Sequence, residues 1–177
     1  VAVHLGELTS EPGTPRKRRA RLGGYGAAAI VLALLVAVRL FVAEPMRVPT
    51  GSMQPTLRPG DHVLLAKLAG VERGDLVVFE QPAGGLFLKR VVGVAGDEVG
   101  LEDGALVVNG RTVNEPYVNL KVLDGVYFGP VTVPPGRVFV MGDNRADSVD
   151  SRTFGPVPLD AVAGQVTFRL WPRPGRL

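Results

Sequence analysis

The sequence predicts a mostly β domain carried behind one N-terminal transmembrane α-helix. Three observations lead there. An apolar run with a single charge fills 23–43. After it, short Val-rich runs recur between Gly and Pro signals, the spacing of an all-β domain. Asn109-Gly110 between Leu106-Val107-Val108 and Arg111-Thr112-Val113 marks a two-residue hairpin turn. With 177 residues the chain holds one ordinary domain plus an appendage.

Residues 1–22 read as a disordered polar arm, rich in Pro, Arg and small residues. Arg16, Lys17, Arg18, Arg19 and Arg21 against Glu7 and Glu11 account for the whole net charge of +3. A pI near 9.6 invites a nucleic-acid reading, and a charge run is often only a solvated tail. Here the excess adjoins the apolar run, which points to a membrane and away from nucleic acid. As a helix, 23–43 spans about 31 Å, the hydrocarbon thickness of a bilayer. Arg39 lies near its far end, where a long stem snorkels to the headgroups. A cleaved signal peptide has the same order of charge and apolar core, but its core is shorter. The positive-inside rule then keeps the arm cytoplasmic and puts 44–177 outside a plasma membrane crossed once.

Beyond the helix, strand-like runs appear at 62–65, 75–79, 87–94, 105–108, 138–141 and 165–171. The 23 Gly and 15 Pro predict sharp corners and extensive loops. With no cysteine, the domain is held by its core alone, and zinc-cysteine and thiol chemistry are excluded. His4 and His62, the two histidines, fall on opposite sides of the membrane in this topology, so no metal site is expected.

Ser52 stands out among the serines. Gly51 allows close backbone approach, while Pro49 and Pro55 restrict the flanks. It lies nine residues past Ala43, so even a fully extended chain keeps it within about 30 Å of the membrane. A nucleophilic serine needs a base. His62 is one candidate, and a lysine is the other. An ordinary lysine is neutral in only about one molecule in 2,500 at pH 7, so a lysine base must be desolvated. Lys17 is on the cytoplasmic side, Lys121 is in a mixed loop and Lys67 ends a short run. Lys89, within Leu86-Phe87-Leu88-Lys89-Arg90-Val91-Val92, shares one face with Phe87 and Val91 by period-two alternation. An edge-strand lysine snorkelling to water fits the same local pattern.

Four segments in order resemble the type I signal peptidases, membrane-bound Ser-Lys proteases that remove signal peptides from exported preproteins. They are Gly51-Ser52-Met53-Gln54-Pro55-Thr56-Leu57, Arg73 to Phe79, Lys89-Arg90-Val91-Val92-Gly93, and Gly142-Asp143-Asn144-Arg145 through Asp150-Ser151-Arg152. The resemblance implies Ser52 as nucleophile, Lys89 as general base and Ser148 as the hydroxyl orienting the lysine. It implies an oxyanion hole from the Ser52 backbone N–H and the Thr50 hydroxyl. Asp143, Arg145, Asp150 and Arg152 would brace the site. It further implies coiled antiparallel sheets, an apolar surface dipping into the bilayer, and no metal or organic cofactor. Substrates would bind as extended strands with small residues at −3 and −1, and the secretion translocon would lie nearby.

Two positions depart from the pattern. Ala146-Asp147 replaces Asp-Asn, and an added carboxylate at Asp147 is expected to favour charged Lys89 if it lies close. Ala95 replaces a proline before Gly96-Asp97, a small loosening of a turn. The region after the lysine segment is short, so a small hairpin insertion is expected around 99–135. Two rival readings fit less of the chain. A self-cleaving Ser-Lys regulator has a DNA-binding domain and no membrane helix. An inactive membrane-anchored β module has no need of Ser52, Lys89 and Ser148 together.

Overall fold

The computed structural model describes residues 20–67, 70–81, 84–118 and 125–177. The expected basic arm up to residue 19, with Lys17, and the candidate base Lys121 lie outside the described residues. Two compact units divide the chain at Ala37/Val38. The helix α1, Ala20–Phe41, forms from a sequence rich in Ala and Leu without Pro. Its side chains are described over 25–37, where Ile30, Leu32, Leu34 and Leu35 are exposed. Among the described residues no helix is long and apolar enough to cross a membrane.

The rest is mostly antiparallel β, as expected. The first sheet uses β1 (Ala43–Arg47), β2 (His62–Ala66), β3 (Leu76–Glu80), β4 (Leu86–Val94), β9 (Arg137–Met141), β10 (Val157–Pro158), β11 (Val162–Trp171) and β12 (Gly175–Arg176). Its order is β1-β2-β11-β3-β4-β9-β10, with β12 pairing β11. A short helix α2, Ser151–Phe154, lies between β9 and β10, capped by the Asp150 side chain on the Arg152 N–H. Beyond the hairpin expected around 99–135, a second sheet of four strands forms. It contains β5 (Glu98–Glu102), β6 (Ala105–Val108), β7 (Arg111–Thr112) and β8 (Phe128–Thr132), in the order β7-β6-β5-β8. Asn109 and Gly110 take φ of 53° and 71°, the positive pair that a tight hairpin turn requires.

Two strands carry too little alternation to be read. Pro45 occupies β1 and Gly129-Pro130 occupies β8, and both strands are sheet edges, where proline is tolerated. In β3, four successive residues are buried because both faces are covered. Leu76 and Val78 join Val48, Met53, Leu57, Val63, Leu65, Leu88 and Val166 in one cluster. Val77 and Phe79 face the opposite way into a cluster with Val91, Val138 and Val140, against which Phe87 packs. A third cluster joins the sheets, setting Val92, Phe139 and Met141 against Val99, Leu101 and Leu106.

Candidate active site

The loop between β1 and β2 carries its own anchors. Val48, Met53 and Leu57 are buried in the first cluster, and Val48 and Asp61 close the loop by a backbone hydrogen bond of 2.8 Å. Ser52 therefore sits on a pinned turn, 9% exposed. From the opposite side β4 delivers Lys89, 3% exposed, with Nζ 2.8 Å from Ser52 Oγ. The alternation in β4 puts Lys89 over the Phe87 ring, 5.6 Å from its centroid. Burial lowers the Lys89 pKa from 10.5, opposed by the charges of Asp150 and Asp143. In its neutral form, an amine at this distance is within reach of a serine hydroxyl proton.

Thr50 Oγ1 stands 3.2 Å from Ser52 Oγ. These residues line a cleft of about 750 Å³, with 46–53 on one wall, 86–89 on the other and 146–149 alongside. Two backbone segments at the cleft are open-edged among the described residues. β1 ends the sheet, and β9 pairs with β4 only from Arg90 onward, leaving 86–89 bonded on the β3 side alone.

The loop after β9 closes the site from behind. Asn144 N–H donates to Ser52 O at 3.0 Å, and Asn144 Nδ2 to Gly51 O at 3.4 Å. A Cβ on Gly142 would lie 2.7 Å from Ser52 O and 2.5 Å from Ser148 Cβ, so only glycine fits there. Arg90 grips Asp143 with two bonds of 2.7–2.8 Å, and Thr56 Oγ1 donates to the same carboxylate. Arg152 pairs likewise with Asp150 at 2.8–2.9 Å, while Gly142 N–H donates to Asp150 Oδ2 at 3.0 Å. Burial alone would raise the Asp150 pKa, but these donors win and hold it below 3.8.

The structure thus brings Thr50, Ser52, Lys89 and Ser148 to one cleft, with Asp143, Arg145, Asp150 and Arg152 behind it. Ser148 reaches the cleft wall with its Oγ buried, and it makes no hydrogen bond to Lys89. Its hydroxyl lies close enough to Asp150 to help hold that carboxyl below its ordinary pKa. His62 is exposed at an outer end of β2, opposite Arg47 and Trp171, and does not line the cleft. Lys67 pairs with Glu44 at 2.8 Å.

For Asp147 the condition of lying close to Lys89 is decided by its placement. Its side chain is exposed on the cleft wall, and the carboxylates that act on Lys89 are Asp150 and Asp143. At Ala95, Asp97 holds the turn in place of ring stiffness: its carboxylate accepts the Val94 N–H at 2.8 Å and pairs with Arg73. The sequence reading missed Glu115 and Tyr117. Glu115 pairs with buried Arg145, and Tyr117 donates to Glu115 and stacks on Arg90 at 4.1 Å. An acidic and an aromatic residue flanking Pro116, just past a hairpin, were the available signal.

The chain is similar to known peptidases over most of its length. The family described as "Signal peptidase, peptidase S26" matches residues 22–171. The chain is 38% identical over 173 residues to signal peptidase I of Bacillus caldolyticus, covering 89% of this chain and 93% of that protein. It is 36% identical over 172 residues to the probable signal peptidase I-2 of Synechocystis sp., covering 90% and 77% respectively. The crystal structure of a signal peptidase I from Enterococcus faecalis V583 superposes with a TM-score of 0.50 at 31% identity, covering 56% of this chain and 98% of that one. The chain belongs to the signal peptidase family, peptidase S26, and is a serine peptidase.

Proposed function

We propose that the protein removes N-terminal signal peptides from exported preproteins through a Ser52–Lys89 dyad. The observation that carries this reading is the 2.8 Å contact between a buried, pKa-lowered lysine and a serine on a pinned loop at the floor of a cleft. Ser52 Oγ attacks the scissile carbonyl carbon as its proton passes to Lys89 Nζ. The resulting oxyanion takes hydrogen bonds from the Ser52 N–H and the Thr50 hydroxyl, a kind of donor worth about 3–4 kcal/mol in the transition state. Lys89 then protonates the leaving amine as the C–N bond breaks, giving an acyl-serine and the mature N terminus. Water, deprotonated by the same amine, hydrolyses the ester and restores Ser52. Orientation of the lysine by Ser148 requires its Oγ, which lines the same cleft but is not bonded to Lys89 here, to swing toward Nζ.

The open edges of β1 and of 86–89 support an extended substrate bound by strand addition. Small side chains at −3 and −1 then fill shallow pockets. Residues 23–43 anchor the chain across the plasma membrane with the PRKRRAR arm in the cytoplasm, and exposed Leu86 on the cleft wall suits a surface that meets lipid. Its partners are preproteins, the bilayer and, by proximity, the secretion translocon. Incubating a preprotein with the full chain in detergent, beside Ser52→Ala, tests the reading. Cleavage by wild type alone, with small residues at −3 and −1 of the mapped cut, supports it; equal cleavage by both overturns it.

A further inference from the structure

The second sheet would be a passive appendage but for one turn. Between β7 and the described start at 125, Glu115-Pro116-Tyr117 turns toward the catalytic loop, and Val113 just before it packs in the cluster joining the sheets. The Glu115 carboxylate is 3% exposed and the Arg145 guanidinium that it pairs with is 1% exposed. Arg145 Nε in turn donates to Gly142 O at 3.0 Å, the glycine whose Cα has no room for a methyl beside Ser52 O. Arg152 Nη2 donates to Arg145 O at 2.8 Å, tying the same arginine to Asp150. On the other side, Tyr117 Oη donates to Glu115 Oε1 at 2.9 Å, and its ring lies under the Arg90 guanidinium. Arg90 follows Lys89 in β4 and grips Asp143. One turn therefore holds both the strand that carries the lysine and the loop that backs the serine.

We propose that Glu115 is a positioning residue for peptide cleavage, aligning Ser52 with Lys89 through Arg145, with Tyr117 as its second arm. The pair is poorly arranged for stability alone. Glu115 Oε2 and Arg145 Nη1 are both buried without a hydrogen bond, and a buried ion pair with unspent groups contributes little to folding. Its directional grip on the two catalytic segments is what the geometry does supply. Glu115 lines no part of the cleft, so its effect reaches the reaction without touching substrate.

The inference rests on the Ser52–Lys89 reading, and its test separates the two. Full-length Glu115→Gln and Tyr117→Phe are compared with wild type on a preprotein in detergent, with rates counted per folded molecule by near-UV circular dichroism. Wild type that did not cleave would sink the proposed function and this inference with it. With wild type active, Glu115→Gln is expected to lose roughly tenfold or more in kcat, as sub-ångström misalignment does. Tyr117→Phe is expected to lose a smaller factor, and KM stays within about twofold of wild type in both, because substrate binding is untouched. A merely structural role lowers the folded fraction and leaves kcat per folded molecule unchanged, which would overturn the proposal. A rise in KM with normal kcat would also overturn it. If Glu115→Gln does not fold, Tyr117→Phe decides by the same criteria.

Discussion

Replacing Gly142 with alanine adds one methyl behind Ser52 and against the Ser148 hydroxyl. The new Cβ would lie 2.7 Å from Ser52 O and 2.5 Å from Ser148 Cβ. Ordinary contact begins at 3.4 Å, so the Ser52 backbone, Ser148 or the Gly142 loop has to move by about 0.7–0.9 Å. The Asn144 N–H bond to Ser52 O, at 3.0 Å, ties the two segments together, so the shift passes to the serine. Misplacement on this scale costs on the order of 10- to 100-fold in kcat, while overpacking one methyl costs about 1–3 kcal/mol of stability. Cleavage at saturating preprotein gives the first and thermal unfolding the second. Near-normal kcat in a folded Gly142→Ala protein would show that the loop does not govern the position of Ser52.

Lys89→Met should abolish cleavage yet raise Tm. The folded-state pKa of Lys89 lies below 10.5, so the cost of holding its ammonium inside is full below that folded pKa and fades as pH rises from it toward 10.5. The gain in Tm should therefore be largest at low pH and shrink across that window; a gain that grows with pH would refute the burial argument. For the active enzyme, kcat/KM should rise with pH through the lowered Lys89 pKa. Asp143→Asn removes a charge that favours the ammonium and should move that limb to lower pH, whereas Asp147→Asn, at an exposed position, should leave it in place. A shift in Asp147→Asn would restore that carboxylate as a neighbour of the lysine.

What was legible followed from local pattern. Continuous apolar runs at 76–79 and 138–141 mark strands whatever their neighbours, and Asn109-Gly110 marks its own turn. Alternation alone put Lys89 beside Phe87, where the structure has it. β1 and β8 escaped because Pro45 and Pro130 are acceptable only at a sheet edge, and edge position is a property of the assembled fold. Whether Asp147 lies close to Lys89 was illegible for a similar reason. Asp147 and Asp150 stand within three residues of Ser148, and only the turn into α2 decides that Asp150 points inward at 0% exposure while Asp147 faces solvent. Glu115 and Arg145 meet across 30 residues and two sheets, a pairing that no local pattern encodes.

The central claim is that Ser52 attacks with Lys89 as its base. Cleavage of one preprotein by wild type, Ser52→Ala, Lys89→Ala, the double variant and His62→Ala tests it most directly. The account predicts that either single substitution abolishes turnover, that the double is no worse than either, and that His62→Ala cleaves like wild type. Turnover that survives in Lys89→Ala and is lost in His62→Ala would contradict it.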